Sequence, residues 1–224
     1  YDVKGVTLRL YNQPNSSKSK SCCAGIDIDD AKKVAEQYDF SHKVFDYQDK
    51  FFNGVINNFV DSYANGETPV PCIQCNQTVK FSDLLEESKK INADALVTGH
   101  YAIRKGGLKD SKLFRAKDKT KDQSYFLFAT LQDQLDYVRF PLGNYLKSEI
   151  RQMADDYNLS VSDKPDSQDI CFVTSDSYRD LINKMQPEIN KEGNIFDIHG
   201  NKIGLHKGIA NYTVGQRKGV GVGG

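Results

Sequence analysis

Apolar residues follow two different periods along the chain. Near the start, Val3, Val6 and Leu8 sit in YDVKGVTLRL, a run that predicts a strand. A polar loop, NQPNSSKSKSCCAG, follows. Ala31, Val34, Ala35 and Tyr38 then stand at i, i+3, i+4 and i+7, with Asp27, Asp29 and Asp30 in the first turn, where acids complement a helix dipole. HKVFDY predicts a second strand. Phe52, Val55, Ile56, Phe59, Val60 and Tyr63 share one helical face that ends at Gly66. Phe81, Leu84, Leu85 and Ser88 continue a helical period after TPVPCIQC, and NADALVTGHYA reads as one continuous apolar strand stopping at Gly99-His100. Strands alternating with helices predict an α/β domain built on a doubly wound parallel sheet.

The middle of the chain is more helical. QSYFLFATLQDQLDYVRF predicts one helix, and YLKSEIRQMADDYNL another, with Leu146, Ile150, Met153, Ala154 and Tyr157 on a single face. From about residue 175 the pattern breaks into a short helix in SYRDLINKMQ and a hairpin in NIFDIHGNKIG that turns at His199-Gly200-Asn201. A domain boundary is therefore expected near residue 174, separating a first domain over 1–173 from the start of a smaller second one over 174–224.

Composition alters this picture in three places. The 30 basic and 30 acidic residues cancel, so no overall field points to nucleic acid. After Asp197, however, no acid follows, while Lys202, Lys207, Arg217 and Lys218 do. Five cysteines in no regular framework fit a reducing, cytoplasmic setting, where paired cysteines signify metal or catalysis. No apolar run approaches the roughly 18 residues of a membrane span, so no membrane partner is expected. The chain opens in a strand without a preceding methionine and stops in GVGVGG, which suggests a piece of a longer protein.

Candidate chemistry centres on Cys72 and Cys75, a C-x-x-C pair boxed by Pro69 and Pro71. Cys75 precedes a helix, whose unpaired N–H groups and dipole favour a thiolate nucleophile; the alternative is a pair of buried small hydrophobes. Cys171, in KPDSQDICFV, reads equally well as an inert strand residue. Cys22-Cys23 are taken as structural or incidental. Gly99 and His100 end a strand, where open α/β sheets bind ligands, although a lone His is more often a structural residue. In KDQSYF, Lys121, Asp122 and Gln123 gather a cation, an acid and an amide, and Asp122 is equally able to be an N-cap. Arg217 and Lys218 are open to phosphate contact or to a solvated loop. The cysteines leave two metal readings: an iron–sulfur cluster on Cys72, Cys75 and Cys171, or structural zinc in a non-catalytic tRNA- or nucleotide-binding module.

Six blocks in order, TPVPCIQCNQTVKFSDLL, ADALVTGHYA, KDQSYFL, FPLGNYLKSEIRQMA, DSQDICFV and YTVGQRKGVGVGG, resemble the bacterial tRNA-specific 2-thiouridylase family (MnmA, also called TrmU). The resemblance implies an adenine-nucleotide α-hydrolase-like catalytic domain of the PP-loop type over 1–173 and part of a central tRNA-binding domain over 174–224. It implies ATP with Mg2+ as cosubstrate, a wobble-uridine tRNA (those for Lys, Glu and Gln) as substrate, and a sulfur-relay protein as donor. Cys75 then corresponds to the nucleophile and Cys171 to the persulfide carrier, with a disulfide between them during the cycle. Leu8 and Gly99 correspond to ATP contacts. Val70, Pro71 and Cys72 correspond to the segment meeting the target base, and His100, Lys121, Asp122 and Gln123 to tRNA contacts. The family's S-G-G-x-D-S phosphate loop and its C-terminal β-barrel have no counterpart in this sequence, and Cys72 stands where some members carry aspartate.

Overall fold

The computed structural model describes residues 1–11, 25–166, 170–173 and 177–221, so Cys22 and Cys23 lie outside the described residues. β1 (Lys4–Arg9) pairs in parallel with β2 (Ser41–Asp46), in register from Lys4 opposite Ser41 to Arg9 opposite Asp46. Parallel neighbours need a crossover, and α1 (Gly25–Gln37) lies between them in sequence, burying Ile28 and Ala35.

Two long helical stretches form the centre. α2 (Gln48–Phe51), a π-helical turn over Phe52–Ile56 and α3 (Asn57–Ala64) run on without a break. They bury Phe51, Val55, Ile56, Phe59, Val60 and Tyr63 and leave Phe52 exposed, because the wider π turn shifts the phase of the apolar stripe. The second stretch is α4 (Pro71–Cys75), a π-helical segment Asn76–Asp83 and α5 (Leu84–Lys90). Pro71 sits in its first turn, where a missing N–H costs nothing. Cys75, Val79, Phe81, Leu84, Leu85 and Ser88 face the core, and the Ser88 hydroxyl donates to Leu84 O at 2.8 Å.

Beyond this point the pattern predicted longer elements than form. The strand expected through NADALVTGHYA is regular only at β3 (Leu96–Val97). The chain then bends so that Tyr101 N–H donates to Gln123 Oε1 at 2.9 Å and Gln123 N–H to Tyr101 O at 2.8 Å, before β4 (Ala102–Lys105) pairs antiparallel with β5 (Lys112–Arg115). The single helix expected over QSYFLFATLQDQLDYVRF is three pieces: a 3-10 turn at Ser124–Phe126, α6 (Gln132–Tyr137), and β6 (Val138–Arg139), which pairs in parallel with β3. Ahead of the first piece, the Asp122 carboxylate fixes the chain by accepting from Ala116 N–H at 2.8 Å and the Ser124 hydroxyl at 2.8 Å. The 3-10 turn at Pro141–Asn144 approaches β4 so closely that a Cβ on Gly143 would lie 1.9 Å from Ala102 O.

α7 (Lys147–Asp156) forms as expected, but its apolar stripe is not buried: Leu146, Met153 and Tyr157 are exposed. α8 (Tyr178–Met185) is capped by the Ser177 hydroxyl, which accepts from Arg179 N–H at 3.2 Å. The expected hairpin is β7 (Gly193–Phe196) with β8 (Lys202–His206), and Gly200 at its turn has φ +82°. The architecture is thus mixed α/β, with two parallel strand pairs and two antiparallel ones. No helix among the described residues is long and apolar enough to cross a membrane.

One hydrophobic cluster joins these parts. Phe172 sets its ring edge-on to Phe51 at 5.7 Å and to Phe59 at 5.3 Å, and Tyr178 stacks on Tyr63 at 4.7 Å. Ile182 of α8 is completely buried in the same cluster. A separate polar brace forms around Arg104, which donates to Leu135 O, Gly106 O, Gly107 O and Asp136 O and so ties β4 to α6.

Two expectations follow from this packing. Phe172→Ala should destabilise the fold by about 3–5 kcal/mol, the usual cost of emptying a buried aromatic site, as read from denaturant unfolding. Burial, reinforced by the charge of Lys80, pushes the His100 pKa from 6.5 down to about 3. Below about pH 6.5 the unfolded chain takes up a proton that the folded chain refuses until about pH 3, so stability should fall across that window. His100→Gln should flatten the fall, measured by thermal melts at neutral pH and within the window.

Candidate active site

The helical stretch that begins at Pro71 carries both members of the C-x-x-C pair. The expectation that Cys75 stands just ahead of the helix is corrected, because the helix starts at Pro71 and Cys75 lies one turn inside it. Cys72 occupies the first turn, nearest the unpaired N–H groups, and is exposed, whereas Cys75 is 6 % exposed and belongs to the central cluster. Cys72, Cys75 and Cys171 are thiols in this structure.

Cys171 reaches the same place from a distant part of the sequence. Phe172 pins the segment into the aromatic cluster, and Ile170, Cys171 and Val173 are half-buried against the cluster that contains Cys75. Two thiols almost a hundred positions apart therefore border one core. Among the described residues no three His, Cys, Asp or Glu side chains are gathered so as to hold a metal ion, so Cys72, Cys75 and Cys171 do not form a ready cluster site in this arrangement.

Asn76 follows Cys75 and is 3 % exposed. Its Nδ2 donates to Phe126 O at 3.3 Å, which fastens the cysteine helix to the 3-10 turn, while its Oδ1 is buried with no hydrogen-bond partner among the described residues. On that turn Tyr125 is exposed, and its hydroxyl pKa is raised by partial burial and by the charge of nearby Cys72. Neither Asn76 nor Tyr125 was singled out from sequence; the signal available was only their adjacency to Cys75 and to the KDQ run.

His100 sits behind the same helix. Its ring centroid is 6.0 Å from that of Phe81 and 6.0 Å from that of Phe140, and Nδ1 is 2.9 Å from Thr98 Oγ1. With its pKa at about 3 the imidazole is neutral near pH 7. In that state it can make hydrogen bonds but carries no charge. Asp122 and Gln123 hold the local backbone through the contacts given above. Burial opposes ionisation of Asp122, but the Ala116 N–H and the Ser124 hydroxyl outweigh it and keep the carboxyl below its ordinary range. Lys121 is paired with Asp166 at 2.7 Å.

Leu8 and Gly99 both lie at carboxyl ends of parallel strands, Leu8 in β1 opposite Phe45 and Gly99 just after β3. Ligands of open α/β sheets bind at such ends. A Cβ on Gly99 would meet only Leu142 at 3.7 Å, so the protein leaves room there.

The C-terminal segment folds back to the cysteine helix. Val214 N–H donates to Thr68 Oγ1 at 2.9 Å, and Arg179 Nη2 to Asn211 O at 3.0 Å. Thr68 is two residues ahead of exposed Val70 and three ahead of buried Pro71. Arg217 and Lys218, just beyond Val214, are therefore carried toward the start of α4.

Comparison with known proteins agrees with this layout. Over residues 1–175 the chain matches a family model described as tRNA methyl transferase HUP domain, and over 179–224 one described as tRNA methyl transferase PRC-barrel domain. It is 51% identical over 223 residues to the tRNA-specific 2-thiouridylase MnmA of Rickettsia bellii, covering 99% of this chain and 61% of that protein. It is 52% identical to the protein of the same name from Dinoroseobacter shibae, covering 100% of this chain and 59% of that one. With that from Jannaschia sp. the figures are 53%, 100% and 60%. The chain thus spans about three fifths of the length of the curated relatives it matches. With more than half of its residues matched by the first of these models, the chain belongs to the family described as tRNA methyl transferase HUP domain.

Proposed function

We propose that this chain is the greater part of an ATP-dependent tRNA-uridine 2-sulfurtransferase acting on the wobble uridine of the anticodon. The observation that carries the reading is the approach of Cys171 to the hydrophobic cluster that holds Cys75. The name shared by its relatives, tRNA-specific 2-thiouridylase, supports the same reaction class. Two thiols bordering one core suit sulfur transfer, in which one carries the sulfur and the other releases it.

The chemistry follows from the leaving group. A uridine C2 oxygen departs poorly, so it first attacks the α-phosphorus of ATP, Mg2+ assisting, and pyrophosphate leaves. Leu8 and Gly99 are the residues assigned to the nucleotide. The outer sulfur of a persulfide on Cys171, loaded by a sulfur-relay protein, then adds to C2 and AMP departs with the oxygen. The Cys75 thiolate attacks the Cys171 sulfur, the S–S bond breaks, and 2-thiouridine is released, leaving a Cys75–Cys171 disulfide. An external thiol reductant restores both thiols. The target base must leave the anticodon stack to be reached. Val70, Pro71 and Cys72 are assigned to it, and His100, Lys121, Asp122 and Gln123 to the surrounding RNA, the last two acting by shaping the turn. Arg217 and Lys218 are assigned to phosphates. A wobble-uridine tRNA (for Lys, Glu or Gln) is the substrate class, and a reducing cytoplasm the setting.

Cys75→Ser and Cys171→Ser should each abolish 2-thiouridine formation by the full-length protein with ATP and a sulfur-relay protein carrying a persulfide, with tRNA binding retained; nucleoside mass spectrometry reads the product. Normal thiolation by either variant would remove that cysteine from the scheme, and methylated uridine in its place would overturn the reaction class. Lys218→Ala should weaken tRNA binding and lower its salt slope by about 1, the signature of one lost phosphate contact, in filter-binding titrations across salt.

A further inference from the structure

Three cations from two segments surround the carboxylate of Asp166. Lys121 Nζ lies 2.7 Å from Oδ2, Lys147 Nζ 3.0 Å from Oδ1 and Arg151 Nη2 3.8 Å from Oδ1. Among the described residues, one carboxylate therefore pairs with three cations. Three nearby acids have other partners. Glu149 pairs with Lys117 at 3.0 Å, and Asp118 accepts from Lys147 N–H at 3.0 Å and from the Thr120 hydroxyl at 2.7 Å. Asp122 is held by Ala116 and Ser124. Hydrogen bonds from Lys121 and Lys147 keep the Asp166 pKa at about 2, so the carboxylate stays ionised and the local surplus of two positive charges persists at neutral pH.

The cations are fixed yet reachable. Lys147 and Arg151 stand at i and i+4 on α7, which places them on one face of the helix. The Lys147 ammonium lies 5.5 Å from the centroid of the Tyr101 ring, which steadies its stem. The side chains of Lys121, Lys147 and Arg151 remain 38%, 30% and 47% exposed, so each can turn to a partner outside the protein. Asp166 presents two oxygens to cations as the non-bridging oxygens of a phosphodiester would, with the same single charge.

We propose that Lys121, Lys147 and Arg151 together form a site for the phosphate backbone of RNA, in which Asp166 holds the cations in position until a phosphate displaces it. The inference rests on the tRNA reading above and extends it to Lys147 and Arg151. The exchange is charge for charge, and because solvent-exposed ion pairs contribute little net stability, breaking them to admit a phosphate loses little. No comparable surplus is needed to hold α7, whose start is already fastened by Asp118 and by the Glu149 carboxylate on Leu146 N–H.

The test is unmodified tRNA binding to the full chain, titrated across salt, for the wild type, Lys147→Ala with Arg151→Ala, and Asp166→Asn, each checked for folding by circular dichroism. The double variant should bind about tenfold or more weakly at low salt, with a salt slope lower by about 2, one unit per phosphate contact. Asp166→Asn should bind about threefold tighter, since it releases cations from a weak exposed pairing. Where alanine unfolds the chain, Lys147→Gln with Arg151→Gln gives the same reading. An unchanged slope in the double variant, or an Asp166→Asn variant that weakens in step with it, would make the cluster a structural brace and overturn the inference while leaving the proposed function standing. A wild-type chain that does not bind tRNA would overturn both.

Discussion

The edge-on packing of Phe172 against Phe51 and Phe59 is the contact on which the site depends. It couples the segment bearing Cys171 to the central helical stretch, and through the common cluster to the helix bearing Cys75. Each aromatic pair adds about 0.5–1.5 kcal/mol beyond simple burial, and its preferred geometry orients the residues on either side of the ring. The position of Cys171 is thus inherited from its neighbour rather than set by its own chemistry. A short segment flanked by polar residues would otherwise have no reason to lie against the core.

Burial sorts the candidate polar groups into two kinds. His100 is neutral because it is enclosed by Phe81, Phe140 and the start of the hairpin, with Lys80 adding repulsion. Asp122, Gln123 and Arg104 are committed to backbone groups and determine where the chain turns. Lys121, Lys147 and Arg151 share a carboxylate in partial contact with water and keep their charge available. Within one short run, KDQ, an exposed ion pair and backbone-holding contacts therefore fall to different residues, and the tertiary contacts decide which residue does which.

The relatives bear the name of a thiolation enzyme while the family description speaks of methyl transfer. Cys72 is exposed at the start of α4 near Tyr125, and Cys75 lies one turn deeper on the same helix. The π-helical segment that follows displaces the regular phase after Cys75, a distortion often found where a helix carries a functional group.

Local pattern alone was enough for the elements whose side chains follow a period: β1, β2, the central helices, α7 and the β7–β8 hairpin, since apolar spacing and turn glycines act within a few residues. The candidate residues, Cys75, Cys171, Gly99, His100 and the KDQ run among them, were also legible, through motif order rather than through periodicity. Tertiary structure decided the rest. It broke one expected helix between Phe126 and Gln132 and cut one expected strand short at Val97, beyond which Tyr101 and Gln123, more than twenty positions apart, bond to each other. It started α4 at Pro71 instead of after Cys75, left the stripe of α7 open, buried Asn76, and gathered Lys147 and Arg151 around Asp166. A chain's periodicity reports which face each segment would bury, but not which distant segment arrives to cover it, and the packing of the Cys171 segment against the core that holds Cys75 is a fact of the second kind.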